Sequence, residues 1–202
     1  MHSITKFTYK INNLRRLLST NSYSRVLDIY TDGSCIDNGT KYAKGGIGVY
    51  FPNSEYYNLS EPYDASEYIY PATSQRCELV AIHKALQIHF INFSYMKCRI
   101  YTDSEYAIQC MVNYGNVWRK NGWKKTNGQQ VKNIDLLEPL INQYKKNSDK
   151  INLVYVRAHT NERTTQALNN SIADALAKRG VIQHTVYPQE RIIPDIIHIP
   201  DI

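Results

Sequence analysis

The chain has 202 residues, of which 43% are hydrophobic and 21% charged, and a net charge of +6. That length carries one domain with a real core plus extensions, and the composition is ordinary for a globular protein. No apolar run is long enough to span a bilayer. The four cysteines show neither C-x-x-C pairing nor Cys/His zinc spacing, so free thiols in a reduced compartment are the simplest reading.

The basicity is uneven. Residues 1–27 hold Lys6, Lys10, Arg15, Arg16 and Arg25 and no acid, whereas residues 180–202 are net acidic. The global charge is therefore weak evidence that the body binds nucleic acid. Ile11 to Ser19 can form a short amphipathic helix with Arg15 and Arg16 on its polar side. Residues 1–25 thus have the composition of a mitochondrial transit peptide, the alternative being a disordered basic arm that touches phosphates. The expected compartment is the mitochondrion, with nucleus or cytoplasm as the alternative.

The body starts near Val26. A strand running to about Thr31 alternates Leu27, Ile29 and Thr31 with Asp28, Tyr30 and Asp32. Its ending, Ile29-Tyr30-Thr31-Asp32, returns at Ile100-Tyr101-Thr102-Asp103. If the two strands lie parallel and adjacent, Asp32 and Asp103 meet at the strand ends, where open α/β sheets bind ligands. Two carboxylates so close repel, and a divalent cation is the common remedy. The plainer alternative is two unrelated strand-end turns. Gly45 to Phe51 and Tyr56 to Ser60 read as further strands joined by a turn at Pro52-Asn53, giving an antiparallel meander.

Residues 61–72 read as a polar loop, with Thr73 or Ser74 capping a helix over Gln75 to Phe93. Glu78 flanks its apolar stripe of Leu79, Ile82, Leu86 and Phe90. It has a metal, a partner or a solvent opening there, or is an exposed first-turn acid. A strand over 97–102 leads to a helix from Ser104 to about Asn113. Trp118 to Lys125 then gathers two Trp, four cations and a glycine turn, which suits a nucleic-acid strand or a solvated loop. A helix over Val131 to Lys146 and a strand over Ile151 to Val156 follow. The last helix runs from Leu168 to Arg179, with Gly180 as its stop signal. Asp174 lies inside it, where a poor helix former invites either a functional reason or an exposed polar face.

In this order, Tyr30-Thr-Asp-Gly-Ser34, Gly46-Ile-Gly-Val-Tyr50, Gln75-Arg-Cys-Glu78, Tyr101-Thr-Asp-Ser104, Trp118-Arg-Lys-Asn-Gly-Trp-Lys124 and Ala173-Asp174 resemble the ribonuclease H domain of the type 1 cellular enzymes. The resemblance covers about Val26 to Gly180. It divides the chain into a basic extension at 1–25, a catalytic domain at 26–180 and a tail at 181–202. It implies an α/β fold, a ribonuclease H-like five-stranded mixed sheet flanked by helices. It also implies a monomeric endonuclease that hydrolyses the RNA strand of RNA–DNA hybrids and leaves 5′-phosphate and 3′-hydroxyl ends. Asp32, Glu78, Asp103 and Asp174 would be the metal-binding carboxylates, holding two Mg2+ ions about 4 Å apart, with Mn2+ as substitute. His159 falls on the family's mobile catalytic histidine. Gln75 would face RNA 2′-hydroxyls. Tyr114 and Trp118 would line the DNA channel, with Thr126 and Lys124 beside them. Thr73 and Asn133 match two members of a DNA-phosphate pocket.

There are departures from the pattern. Pro71 stands where that pocket's third member is an Arg, Tyr114 where Trp is common, and Ser74 where Asn is usual. The stretch from His159 to Asp174 is longer than the family pattern by about five residues. Three functions fit these residues: a stand-alone hybrid endonuclease, a module descended from a retroelement polyprotein, and a hybrid-binding module whose catalysis has lapsed. The four intact carboxylates argue against the third.

Overall fold

The computed structural model describes residues 26–68, 70–157 and 164–186, with side chains described to residue 183. Its elements are β1 (Val26–Ile36), β2 (Lys44–Tyr50), β3 (Leu59–Pro62), α1 (Ala65–Tyr68), α2 (Ser74–Asn92), β4 (Lys97–Thr102), α3 (Glu105–Ile108), α4 (Gly115–Lys120), α5 (Ile134–Lys146), β5 (Ile151–Tyr155) and α6 (Thr165–Val186). The five strands form one mixed sheet in the order β3-β2-β1-β4-β5. β1–β2 and β2–β3 are antiparallel, as the short links between them dictate. β1–β4 and β4–β5 are parallel and need helical crossovers. The fold class read from the sequence is the one observed.

As the central strand, β1 is covered on both faces. Leu27 and Ile29 join Ile100 and the apolar side of α2 in the main core. Tyr30 and Tyr101, stacked at 4.5 Å, join Val156 and Ala173 of α6 on the other face. No helix among the described residues is long and apolar enough to cross a membrane.

Five boundaries differ from the sequence reading, each for a local reason. β1 runs on to Ile36, because β2 supplies partners from Asp32↔Gly48 to Ile36↔Lys44 after β4 has ended. Tyr56 and Tyr57 lie in a 3-10 turn, not a strand. The Asn58 side chain accepts the Phe51 N–H at 2.8 Å, so strand pairing starts only at Leu59↔Val49. The 61–72 stretch contains the end of β3, α1, and the buried Tyr63 and Tyr68. The helix begun at Ser104 continues through a π-helical segment, Gln109–Tyr114, into α4, which carries Trp118. α5 starts at Ile134 because Asn133 is left-handed (φ 56°) and Val131 N–H turns back to the Trp123 carbonyl.

Gly180 does not end the last helix, which continues to Val186. A Cβ at Gly180 would stand 2.3 Å from the Glu61 carbonyl oxygen. The glycine serves close packing of α6 against the edge strand, a role that leaves the same mark in a sequence as a helix stop.

Candidate active site

The last parallel pair of β1 and β4 is Thr31↔Thr102, so Asp32 and Asp103 are the next residues on adjacent strands. They part there because Ser104 turns the chain into α3, its hydroxyl accepting the Ala107 N–H at 3.2 Å. Asp32 stays in the sheet, buried, and Oδ1 accepts the Gly33 N–H at 2.8 Å.

Glu78 comes from α2, and its position depends on Gly33. A Cβ there would lie 2.2 Å from Glu78 N and 2.3 Å from the Cys77 carbonyl carbon. Only hydrogen at that point lets the helix backbone settle onto β1. The result is a trio, Asp32, Glu78 and Asp103, each offering an oxygen within 4.8 Å of the others.

Asp174 approaches from α6. Gly48 of β2 makes this possible, since a Cβ there would stand 2.1 Å from the Ala173 carbonyl oxygen. The Asp174 carboxylate is near enough for its charge to raise the Asp32 carboxyl. Its Oδ2 is held by Lys178 Nζ at 2.7 Å, one turn further along the helix, and it lies outside the mutual cluster of the other three.

Burial, and then the charges of Asp103 and Asp174, push the Asp32 carboxyl up to about 7 against the pull of the Gly33 N–H. Burial first, then Asp32 and Asp103, raises Glu78 well above the usual carboxylate range. Crowded carboxylates repel one another, and a cation between them offsets that repulsion. Two further oxygens agree. Glu78 Oε2 and Asn170 Oδ1 are buried with no hydrogen-bond partner among the described residues. An all-oxygen donor set of this charge fits a hard divalent cation.

The substrate-contact candidates fall around two cavities. Thr73 and Asn133 line one of about 630 Å³, together with Lys41, Pro71, Arg76 and Lys132. Thr73 caps α2 by accepting the Arg76 N–H at 3.2 Å. The Asn133 amide is fixed at both ends, accepting from Arg76 at 3.4 Å and donating to the Tyr106 hydroxyl at 3.0 Å. Gln75, Tyr114 and Trp118 line the second, of about 350 Å³. The Tyr114 and Trp118 rings stack at 5.4 Å. Lys124 and Thr126 are exposed on the neighbouring turn, and Lys125 and Lys132 are the cations that line this cavity. His159 lies outside the described residues.

Sequence reasoning missed two residues. Arg76 is buried and ties α2 to α5 through Asp135, the Tyr63 hydroxyl and the Tyr68 carbonyl. Asn170 donates from Nδ2 to Asp103 Oδ2 at 3.0 Å. The available signal was Asn169-Asn170, two poor helix formers one turn before Asp174.

Comparison with solved structures agrees on the fold. The solution structure of the PFV RNase H domain superposes with a TM-score of 0.61 at 23% identity, over 78% of this chain and 94% of that one. At the sequence level the RNase H family model matches residues 24–182. The chain belongs to the ribonuclease H family. The "Ribonuclease H" of Schizosaccharomyces pombe is 35% identical over 153 residues, covering 75% of this chain and 52% of that protein. The "Probable ribonuclease H" of Acanthamoeba polyphaga mimivirus is 32% identical over 142 residues, covering 69% and 59%. The chain thus spans between half and three-fifths of the length of these two relatives.

Proposed function

We propose that the chain is an endonuclease that hydrolyses the RNA strand of RNA–DNA hybrids. The observation that carries this reading is the trio of oxygens within 4.8 Å, in a chain of the ribonuclease H family. Asp32, Glu78 and Asp103 hold the cation site, and Asp174 completes it from α6. The chemistry that two Mg2+ ions, or Mn2+ in their place, supply at such a site is activation of a water and stabilisation of the leaving 3′ oxygen. The products are 5′-phosphate and 3′-hydroxyl ends.

The chain's own residues bind and orient the hybrid. Gln75 faces the RNA 2′-hydroxyls, the groups that distinguish RNA from DNA. The stacked Tyr114 and Trp118 rings offer faces to the DNA strand, with Lys124, Lys125 and Thr126 beside it. Thr73 and Asn133 grip a DNA phosphate. His159 moves a proton at the leaving oxygen or aids product departure. The enzyme works as a monomer. Residues 26–180 form the catalytic domain, and residues 1–25 direct the chain to mitochondria.

The test is cleavage of a labelled hybrid with and without Mg2+. Asp32→Asn and Asp103→Asn are expected to abolish turnover while hybrid affinity persists, because the amide keeps the shape and loses the charge. Near wild-type cleavage by either variant would put the site elsewhere.

A further inference from the structure

Asn170 sits in the second turn of α6, one turn before Asp174, and is 5% exposed. Asparagine is a poor residue for a helix interior, because its amide competes with the backbone for hydrogen bonds. Here the side chain turns away from its own helix. Nδ2 donates to Asp103 Oδ2 at 3.0 Å, across 67 residues of sequence. The orientation of the amide is fixed by charge, since the opposite one would set its oxygen against a carboxylate oxygen.

That orientation leaves Oδ1 buried and without a partner among the described residues. A buried acceptor left without a hydrogen bond is costly. The second such atom at this site is Glu78 Oε2. Oδ1 shares its carbon with the nitrogen that touches Asp103, so it lies beside the carboxylate cluster and within reach of a water carried there. Neighbouring Asn169 interacts instead with Tyr30. A purely structural asparagine would be expected to satisfy both ends of its amide within the fold, as Asn133 does.

We infer that Asn170 is a positioning residue for the cation site: its Nδ2–H holds Asp103 in the ligand orientation, and its Oδ1 accepts a hydrogen bond from a water of the bound ion. The inference rests on the reading of Asp32, Glu78 and Asp103 as a cation site. Asn170 then belongs to the outer layer of groups that orient ligands, whose loss typically weakens metal binding about 10- to 100-fold. It also explains why α6 must be seated closely. The helix brings Asp174 and Asn170 to the site together, one turn apart on the same side.

The experiment measures Mn2+ affinity calorimetrically on the full chain, with no nucleic acid and no turnover. Four variants are compared: Asn170→Ala, Asn170→Leu, Asn169→Ala and Asp103→Asn. Leu has the same branched side-chain skeleton as Asn, though bulkier, and is a good helix former, so it keeps the helix if Ala does not. Melting in chelator establishes that each variant is folded. Asn170→Ala and Asn170→Leu are expected to weaken Mn2+ binding about 10-fold or more. Asn169→Ala is expected to stay within about twofold of wild type, since it loses only its interaction with Tyr30. Asp103→Asn loses binding. Wild-type affinity in folded Asn170→Leu, with binding lost in Asp103→Asn, overturns the role of Asn170 alone. Unchanged binding in Asp103→Asn overturns the cation site itself, and this inference with it.

Discussion

At the scale of single residues, the site is a set of costs that a cation removes. Asp32 shows this most directly. In the unfolded chain its carboxyl ionises near its ordinary value of 3.8, and in the fold at about 7. Between those values the folded state holds the extra proton. The stabilising contribution is therefore complete below the unfolded value and is lost as pH rises through about 7. With metal chelated, Asp32→Asn should gain stability relative to wild type between pH 4.5 and pH 8, by on the order of 2–4 kcal/mol. Urea unfolding at several pH values measures it, and a gap that does not change with pH would contradict it. Saturating Mg2+ at pH 8 should reverse the ranking, because only the wild type retains the charge that holds the ion. The pairing of Asp32 with Asp103 was legible in the repeated tetrapeptide, because parallel strands in register bring equal endings together. Asn170 was not legible, because the value of its amide depends on a carboxylate from another element.

At the scale of elements, glycines decide where helices come to rest. Gly33 admits α2 to β1 and so delivers Glu78, and Gly48 admits α6 to β2 and so delivers Asp174. Gly48→Ala should force α6 outward, since a Cβ would meet the Ala173 carbonyl oxygen at 2.1 Å and Ala177 N at 2.6 Å. Overpacking of this kind costs about 1–3 kcal/mol. The more telling readout is the rise in melting temperature on adding Mg2+, which should shrink, because Asp174 moves with the helix. An undiminished rise would show that α6 does not contribute to the ion's hold. Strands and helices were legible here wherever apolar periodicity was strong, as in β4 and α2. The errors lay where one residue type serves two ends. The first strand was read as ending at about Thr31 but continues through Gly33-Ser34, because β2 was there to pair with it. Gly180 read as a stop but sits inside α6, because Glu61 was there to approach. Tyr56 read as a strand residue but is 91% exposed, because Asn58 had already taken the hydrogen bond that a strand would use.

At the scale of the whole molecule, charge and site are separately placed. The acid-free residues 1–27 carry five cations, whereas the carboxylates gather at the head of the sheet. If residues 1–25 are an address, fused to a reporter they should carry it into mitochondria, seen by microscopy against a matrix marker. A diffuse cytosolic signal would leave them a tether for phosphates. The four carboxylates themselves come from β1, α2, the end of β4 and α6, and so from positions as far apart in the chain as 32 and 174. No local stretch holds two of them. A nascent or partly folded chain therefore has no grip on the ion, and the affinity appears only when distant segments have closed upon one another. On the proposed function, the capacity to cut is thus withheld until the fold is complete, and an incompletely assembled molecule is a harmless one.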